Sequence, residues 1–181
     1  IEHIPELMEA GIDSFKIEGR MKTALYVATV ARTYRKAIDD YNQSVETYQK
    51  NMDWYLEQIS DCTYRQFTTG FFFHKPDYET QIYDSNTYIR EYTYLGIVGK
   101  QNETGGYHIE QRNKFSVGET IEVMKANGDN IEVKVHAIYD EDGHMLDSAP
   151  HPKQQLWVDL SIPLDEYDIL RRKETIQEVN S

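Results

Sequence analysis

"GETIEVMKANGDNIEVKVHAIYD", from Gly118 to Asp140, decides the fold class. Apolar and polar residues alternate on both sides of Asn127-Gly128-Asp129. A period of two lines one face of a strand, and Asn-Gly supplies the positive φ that a tight hairpin turn demands. The stretch therefore reads as strand, turn, strand. The same signal recurs on either side of it. "YTYLGIVGKQ" (92–101) and "GYHIEQR" (106–112) flank "NETG", a second hairpin. "EDGH" (141–144) turns into "HMLDSA" (144–149), and "QLWVDLSI" (155–162) and "YDILRRK" (167–173) are two further short strands. Six or seven strands with no helix between them predict a small antiparallel barrel or sandwich over residues 91–175, with a tail at 176–181.

Upstream the period changes to that of a helix. From Ala24 to Tyr41, Val27, Val30, Ala31, Tyr34, Ile38 and Tyr41 share one face, while Arg32, Arg35, Lys36, Asp39 and Asp40 lie off it. Thr23 is placed to cap this helix. A second helix is expected over residues 45–59, with Ser44 as its cap and Tyr48, Met52, Tyr55, Leu56 and Ile59 on one face. "IEHIPELMEAG" (1–11) has helical spacing and a stop at Gly11. "SFKI" (14–17) reads as a short strand, so that strand, the turn "EGR" and the long helix form one βα unit. Residues 63–90, rich in Thr, Gly and aromatics, read as an ordered connector, because a flexible linker would not carry Phe71, Phe72 and Phe73 together. These aromatics are expected to pack; stacking on bases is the alternative. The whole is an α+β arrangement of helices at 1–62, connector at 63–90 and sheet at 91–175.

The 181 residues carry a net charge of −12, and residues 91–181, with 9 basic and 17 acidic side chains, hold −8 of it. A surface of that sign repels phosphate backbones at long range, which argues against a general nucleic-acid grip but not against a local basic patch. One cysteine, Cys62, excludes an internal disulfide and a cysteine-rich metal site. A cytoplasmic setting is the expectation. No apolar run approaches membrane-spanning length. The opening residue, Ile1, suggests a piece of a longer protein.

Where a strand end meets a helix start, parallel-sheet enzymes place their chemistry. Glu18, Gly19, Arg20 and Lys22 stand at that point, next to the positive end of the long helix. Together they suggest a cradle for a phosphate or carboxylate. An ion pair of Glu18 with Arg20 closing the turn is the simpler reading. Arg112, Asn113 and Lys114 form a basic spot in an acidic half, a candidate contact for RNA or for another domain; a polar turn is the plainer account. His3, His74, His108, His136, His144 and His151 show no metal-ligand spacing. No nucleophile-elbow motif appears.

"GIDSFKIEGRMKTALYVATVARTYRKAIDDY" (11–41) resembles the segment that characterises the collagenase-like peptidases of family U-32. "FTTGFFFHKP", "YTYLGIVGKQ", "IEQRNKFSVGETIEVMKANG" and "LRRK" extend the resemblance over nearly the whole chain. Where many members carry Ser-Pro, this chain has Thr23-Ala24, which leaves the cap intact. The resemblance implies that residues 1–62 hold the last βα unit of a truncated α/β barrel plus an extra helix. It implies that the missing barrel is the partner of this chain and carries cysteines that hold an iron–sulfur cluster. It further implies that the sheet resembles the β-barrel of translation factors. Some members are called collagenolytic proteases, and others are needed to hydroxylate a wobble uridine of tRNA, with prephenate as the implicated oxygen source. The expected role is a C-terminal accessory part, inactive alone, that orients RNA or braces the catalytic domain. Docking of protein substrate and a purely structural role are the alternatives. The helix face of Val27, Val30, Tyr34 and Ile38, parted from its barrel, is expected to pack on the second helix or to dimerise.

Overall fold

The computed structural model describes residues 1–62, 69–73 and 92–174. The expected tail at 176–181 and most of the expected connector, with His74, lie outside these residues. The chain is α+β. Its helices are α1 (Ile4–Glu9), α2 (Ala24–Gln43), α3 (Val45–Lys50) and α4 (Met52–Ser60). Its strands are β1 (Tyr92–Gln101), β2 (Tyr107–Gln111), β3 (Thr120–Met124), β4 (Asn130–Lys134), β5 (Ala137–Tyr139), β6 (Met145–Leu146), β7 (Gln155–Asp159) and β8 (Ile169–Lys173).

All eight strands of the described residues join one antiparallel sheet in the order β4-β3-β8-β1-β2-β7-β5-β6. β4 stands at one edge and β5 next to the other, yet only Val135 and His136 separate them in sequence. Laid flat, six strand spacings would put them about 29 Å apart. Three Cα–Cα steps reach at most about 11 Å. The sheet must therefore curl until its ends approach. The hydrogen bonds agree: Val135 N–H donates to Glu119 O on the β3 side at 2.9 Å, and His136 N–H to Asp159 O of β7 at 2.9 Å. Ser116 also pairs with Ser148 across the gap. The inner faces converge on one core that includes Leu95, Val98, Ile109, Ile121, Val123, Ile138, Leu156, Val158 and Leu170.

Curling needs local irregularity, and β1 provides it. Leu95 and Val98 both point into the core although they are three residues apart, which a regular period of two forbids. The pairing of β1 with β8 shifts between Tyr94 and Gly96 to allow this. Gly96 is required there: a Cβ would lie 2.7 Å from Ile109 Cγ2 and 3.0 Å from the Glu110 carbonyl.

In the helical part, Thr23 caps α2 by accepting Tyr26 N–H at 3.2 Å, and Ser44 caps α3 by accepting Thr47 N–H at 3.0 Å. Ile4, Ala37, Tyr48 and Tyr55 form a small core, flanked by Tyr34, Ile38 and Tyr41. Asp40, 7% exposed, ties it together. Its carboxylate accepts from Tyr55 Oη at 2.5 Å and Asn51 Nδ2 at 2.8 Å, and Lys36 Nζ lies 3.1 Å away. Burial pushes the Asp40 carboxyl up, but these three donors outweigh it and hold it below its ordinary value.

Four expectations need correction. "SFKI" forms no strand, because no neighbouring strand among the described residues offers it a ladder. The second helix is two, broken at Asn51, whose amide turns to Asp40. The residues 130–140 are two strands, because the chain changes sheet position at Val135-His136. Arg32 is buried, since the polar side of α2 faces the sheet. The long helix's apolar face divides: Tyr34 and Ile38 pack in the helical core, while Val27 is 41% exposed and Ala31 is exposed.

Gly96→Ala is expected to destabilise the protein by about 1–3 kcal/mol, because the Cβ meets β2 backbone that cannot yield; urea unfolding measures it, and an unchanged midpoint would contradict the close approach. Asp40→Asn is expected to lower stability by roughly 1–3 kcal/mol at neutral pH. A depressed carboxylate stabilises above its unfolded pKa and loses that contribution as pH falls through its lowered folded value. The gap between wild type and variant should therefore close in acid, as urea midpoints followed against pH will report.

Candidate functional site

The two parts of the chain meet along a polar seam. Arg32 Nη1 donates to the carbonyls of Lys125 at 3.0 Å and Asp129 at 3.3 Å, in the β3–β4 turn. Its Nη2 donates to Gln58 Oε1 of α4 at 2.5 Å, which also receives Asn130 Nδ2 at 3.4 Å. The guanidinium lies 5.6 Å from the Trp54 ring. Burial, then the nearby Arg171 cation, lowers the Arg32 pKa to about 10, so it stays charged at neutral pH. Gly128, at φ 105°, forms the turn that fits beneath Lys36 and Trp54.

Beside this seam, between the start of α2 and strands β1 and β8, opens a pocket of about 440 Å³. Lys22, Tyr26, Asp61, Tyr92, Asn113 and Arg171 are among its walls. Arg171 is 1% exposed. It stands directly opposite Glu122 across β3 and β8, donates to Glu122 Oε1 at 2.5 Å, and lies 3.8 Å from the Tyr92 ring. Its Nη2 has no hydrogen-bond partner among the described residues. A buried guanidinium with an unused donor, an exposed ammonium at Lys22 and the positive end of the 20-residue α2 favour an anion here, against the single opposing carboxylate of Asp61 among the described wall residues. Asp61 supplies the carboxylate of the wall, while the Cys62 thiol and the Tyr92 hydroxyl stay protonated at neutral pH. Burial pushes the Cys62 thiol up to about 11 and the Tyr92 hydroxyl up to about 12.

The sequence candidates are divided by the structure. Lys22 and Asn113, from two separate clusters, line this one pocket. Glu18 accepts the Arg20 N–H of its own turn at 2.8 Å instead of pairing with the Arg20 side chain. A Cβ at Gly19 would lie 2.8 Å from Val27 Cγ2, so this exposed side chain would have to shift. Arg20 is exposed. Arg112 pairs with Glu110, Asn113 Nδ2 donates to the Tyr94 carbonyl at 2.7 Å, and Lys114 is exposed while its carbonyl accepts from Arg172. Arg171, Tyr92 and Arg32 were not foreseen. A charged pair on opposite strands is the signal for Arg171, but the register that joins it to Glu122 spans 49 residues and leaves no local trace.

The expected packing of Phe71, Phe72 and Phe73 is not what the structure has: all three are exposed, and Phe73 meets only the edge of His3, with ring centroids 4.5 Å apart, among the described aromatic contacts. Asp140, Asp142 and His144 bring ligand atoms within 4.8 Å of one another. Asp140 already accepts from the Asp142 and His144 backbone, so turn geometry accounts for this grouping. No helix is long and apolar enough to cross a membrane among the described residues.

Comparison with known proteins gives a consistent picture. A family model described as peptidase family U32 matches residues 1–82, and one described as the peptidase family U32 C-terminal domain matches residues 90–171. The tRNA hydroxylation protein P1 of Bacillus subtilis is 41% identical over 155 residues, covering 85% of this chain and 36% of the relative. The tRNA hydroxylation protein P of Escherichia coli is 30% identical over 167 residues, covering 91% and 35%. A collagenase of Porphyromonas gingivalis is 33% identical over 120 residues, covering 60% and 33%. The chain thus spans about a third of the length of these relatives. A crystal structure of the C-terminal domain of a Geobacillus thermoleovorans U32 peptidase is 35% identical and covers 45% of this chain and 92% of that one, with a TM-score of 0.41.

Arg32→Met keeps the packing on Trp54 but takes one donor from each of the two turn carbonyls and from Gln58, which keep only Gly128 N–H, Lys125 N–H and Asn130 Nδ2. A loss of roughly 2–3 kcal/mol is expected, together with faster hydrogen exchange at residues 125–130. Unchanged exchange there would mean that the seam does not depend on this residue.

Proposed function

The chain belongs to peptidase family U32, and on that footing we propose that it is the C-terminal accessory part of a protein that works in tRNA wobble-uridine hydroxylation. The observation that carries this is the pocket of Lys22 and Arg171, an anion-favouring site in a chain of net charge −12. A backbone phosphate of RNA suits it: Lys22 and the α2 terminus attract the charge, and the unused Arg171 donor offers a buried hydrogen bond. The similarity to proteins of tRNA hydroxylation supports the choice of RNA over other anions.

In this reading residues 1–62 complete an α/β barrel whose other units lie in the rest of the parent protein. A groove of about 590 Å³, lined by Ile12, Phe15, Ile17, Val30, Tyr34 and Phe72, is the surface that would receive them. An iron–sulfur centre and the oxygen chemistry would sit in that part, in a cytoplasmic protein, and the piece described by residues 1–181 would be inactive alone. Residues 63–90 would connect to a curled sheet that closes at 91–175 as a barrel like those of translation factors. The collagenase relative favours a second reading, in which the sheet docks protein substrate for a peptidase. A module that only braces the catalytic domain is the third.

Filter binding of tRNA by the full-length protein separates them. Lys22→Glu should weaken binding and reduce the salt slope by about one, the signature of a lost phosphate contact. Arg112→Glu, already paired with Glu110, and Lys114→Glu should have smaller effects. Unchanged affinity and slope in Lys22→Glu would remove the pocket from RNA binding.

A further inference from the structure

The outer face of the sheet carries an aromatic row that the function above does not use. Tyr139 of β5, Trp157 of β7 and His108 of β2 stand directly opposite one another across three adjacent strands. Their neighbours Ile138, Val158 and Tyr107 point inward and are buried, so the row faces outward. His108 and Trp157 meet edge to face with centroids 5.4 Å apart. On β1, Gly99 makes room for this: a Cβ there would lie 3.1 Å from His108 Nδ1.

The row borders a cleft of about 850 Å³, walled by Tyr139 and Trp157 and rimmed by Asn102, Gly143, Asp159 and Ser161. Among the described residues, Asp159 is the one charged residue lining the cleft. Its Oδ1 accepts Ser161 N–H at 2.8 Å, and it enters none of the ion pairs among the described residues. Gly143 brings to the rim a turn that carries Asp140, Glu141 and Asp142. Charge and π-faces here point the same way. Carboxylates and aromatic faces both attract cations, and both repel or ignore phosphates.

The chain already contains this recognition in closed form. Arg171 lies 3.8 Å from the Tyr92 ring and is held by Glu122. The cleft repeats the ring and the carboxylate without the guanidinium. We propose that it binds an arginine side chain presented by a basic segment of a protein partner, the planar guanidinium lying on Trp157 or Tyr139 and bonding to Asp159. Arginine suits the site better than lysine, because its fork matches a carboxylate and its face stacks on a ring. The volume exceeds that of one side chain, which leaves space for the flanking backbone. Tyr92 and Gln101 end β1 about 30 Å apart at the rise of a strand, so this cleft is separate from the interdomain pocket.

The test is the indole resonance of Trp157 in the full chain, assigned with Trp157→Phe, during titration with a capped tetra-arginine peptide. Capped tetra-glutamate, spermidine and uridine monophosphate are titrated in parallel. A saturable shift with the arginine peptide alone is expected. Asp159→Asn keeps the acceptor for Ser161 N–H, so the fold is retained, and it should weaken binding about fivefold or more. Tyr139→Leu should weaken it as well. A shift with uridine monophosphate but not with the peptide would make the row a base platform and overturn the proposal. Equal response to spermidine, or equal peptide affinity in Asp159→Asn, would also overturn it. No tRNA enters this measurement, so it fails or succeeds apart from the RNA reading.

Discussion

The two-residue passage through Val135 and His136 is the constraint on which the sheet depends. It joins positions that a flat sheet would hold far apart, so curvature is compulsory and not a preference of the strands. Much else follows from it. The bulge in β1 and the bare backbone of Gly96 supply bending where β2 presses closest. One core receives side chains from both ends of the sheet. The outer face, turned away from that core, is left to serve two neighbours: the helices at one end of β1 and solvent at the other.

The helices sit on the outer face where Glu122, Met124, Ile169 and Arg171 form a patch. Residues that alternation would assign to solvent are thereby buried, and β8 shows Ile169, Leu170 and Arg171 all shielded in succession. The pocket is a by-product of this second burial. It forms where α2 begins and the sheet's own surface ends, and its charge comes from both parts.

The sheet was legible from residues 118–140 outward because hairpins are local: Asn127-Gly128 and Asp142-Gly143 turn the chain where the period of two pauses. The crossing at Val135-His136 was not legible. Val133, Val135 and Ala137 are all buried, so the alternation carries through the crossing and slips only at Ile138, after the chain has changed partners. The break at Asn51 was hidden in the same way, since Tyr48, Met52, Tyr55 and Ile59 keep helical spacing across it. Arg32 was misplaced because periodicity treats every charge as a claim on water. Lys22, singled out from its position before a helix, lines the pocket. Arg171 needed a register between strands that are distant in sequence. Family resemblance reached the right relatives, since it draws on whole motifs and not on periods.

The Arg32 bonds to the sheet end on main-chain carbonyls of Lys125 and Asp129 and not on side chains. Gly128 and Asn130 apart, a bond of this kind reads the shape of the hairpin and is blind to its composition. Residues in the turn can change through evolution without a compensating change in the helix, provided that the chain still bends there. Correlated substitution between the two parts would then be faint at their main point of attachment, and the invariant quantity would be a backbone path.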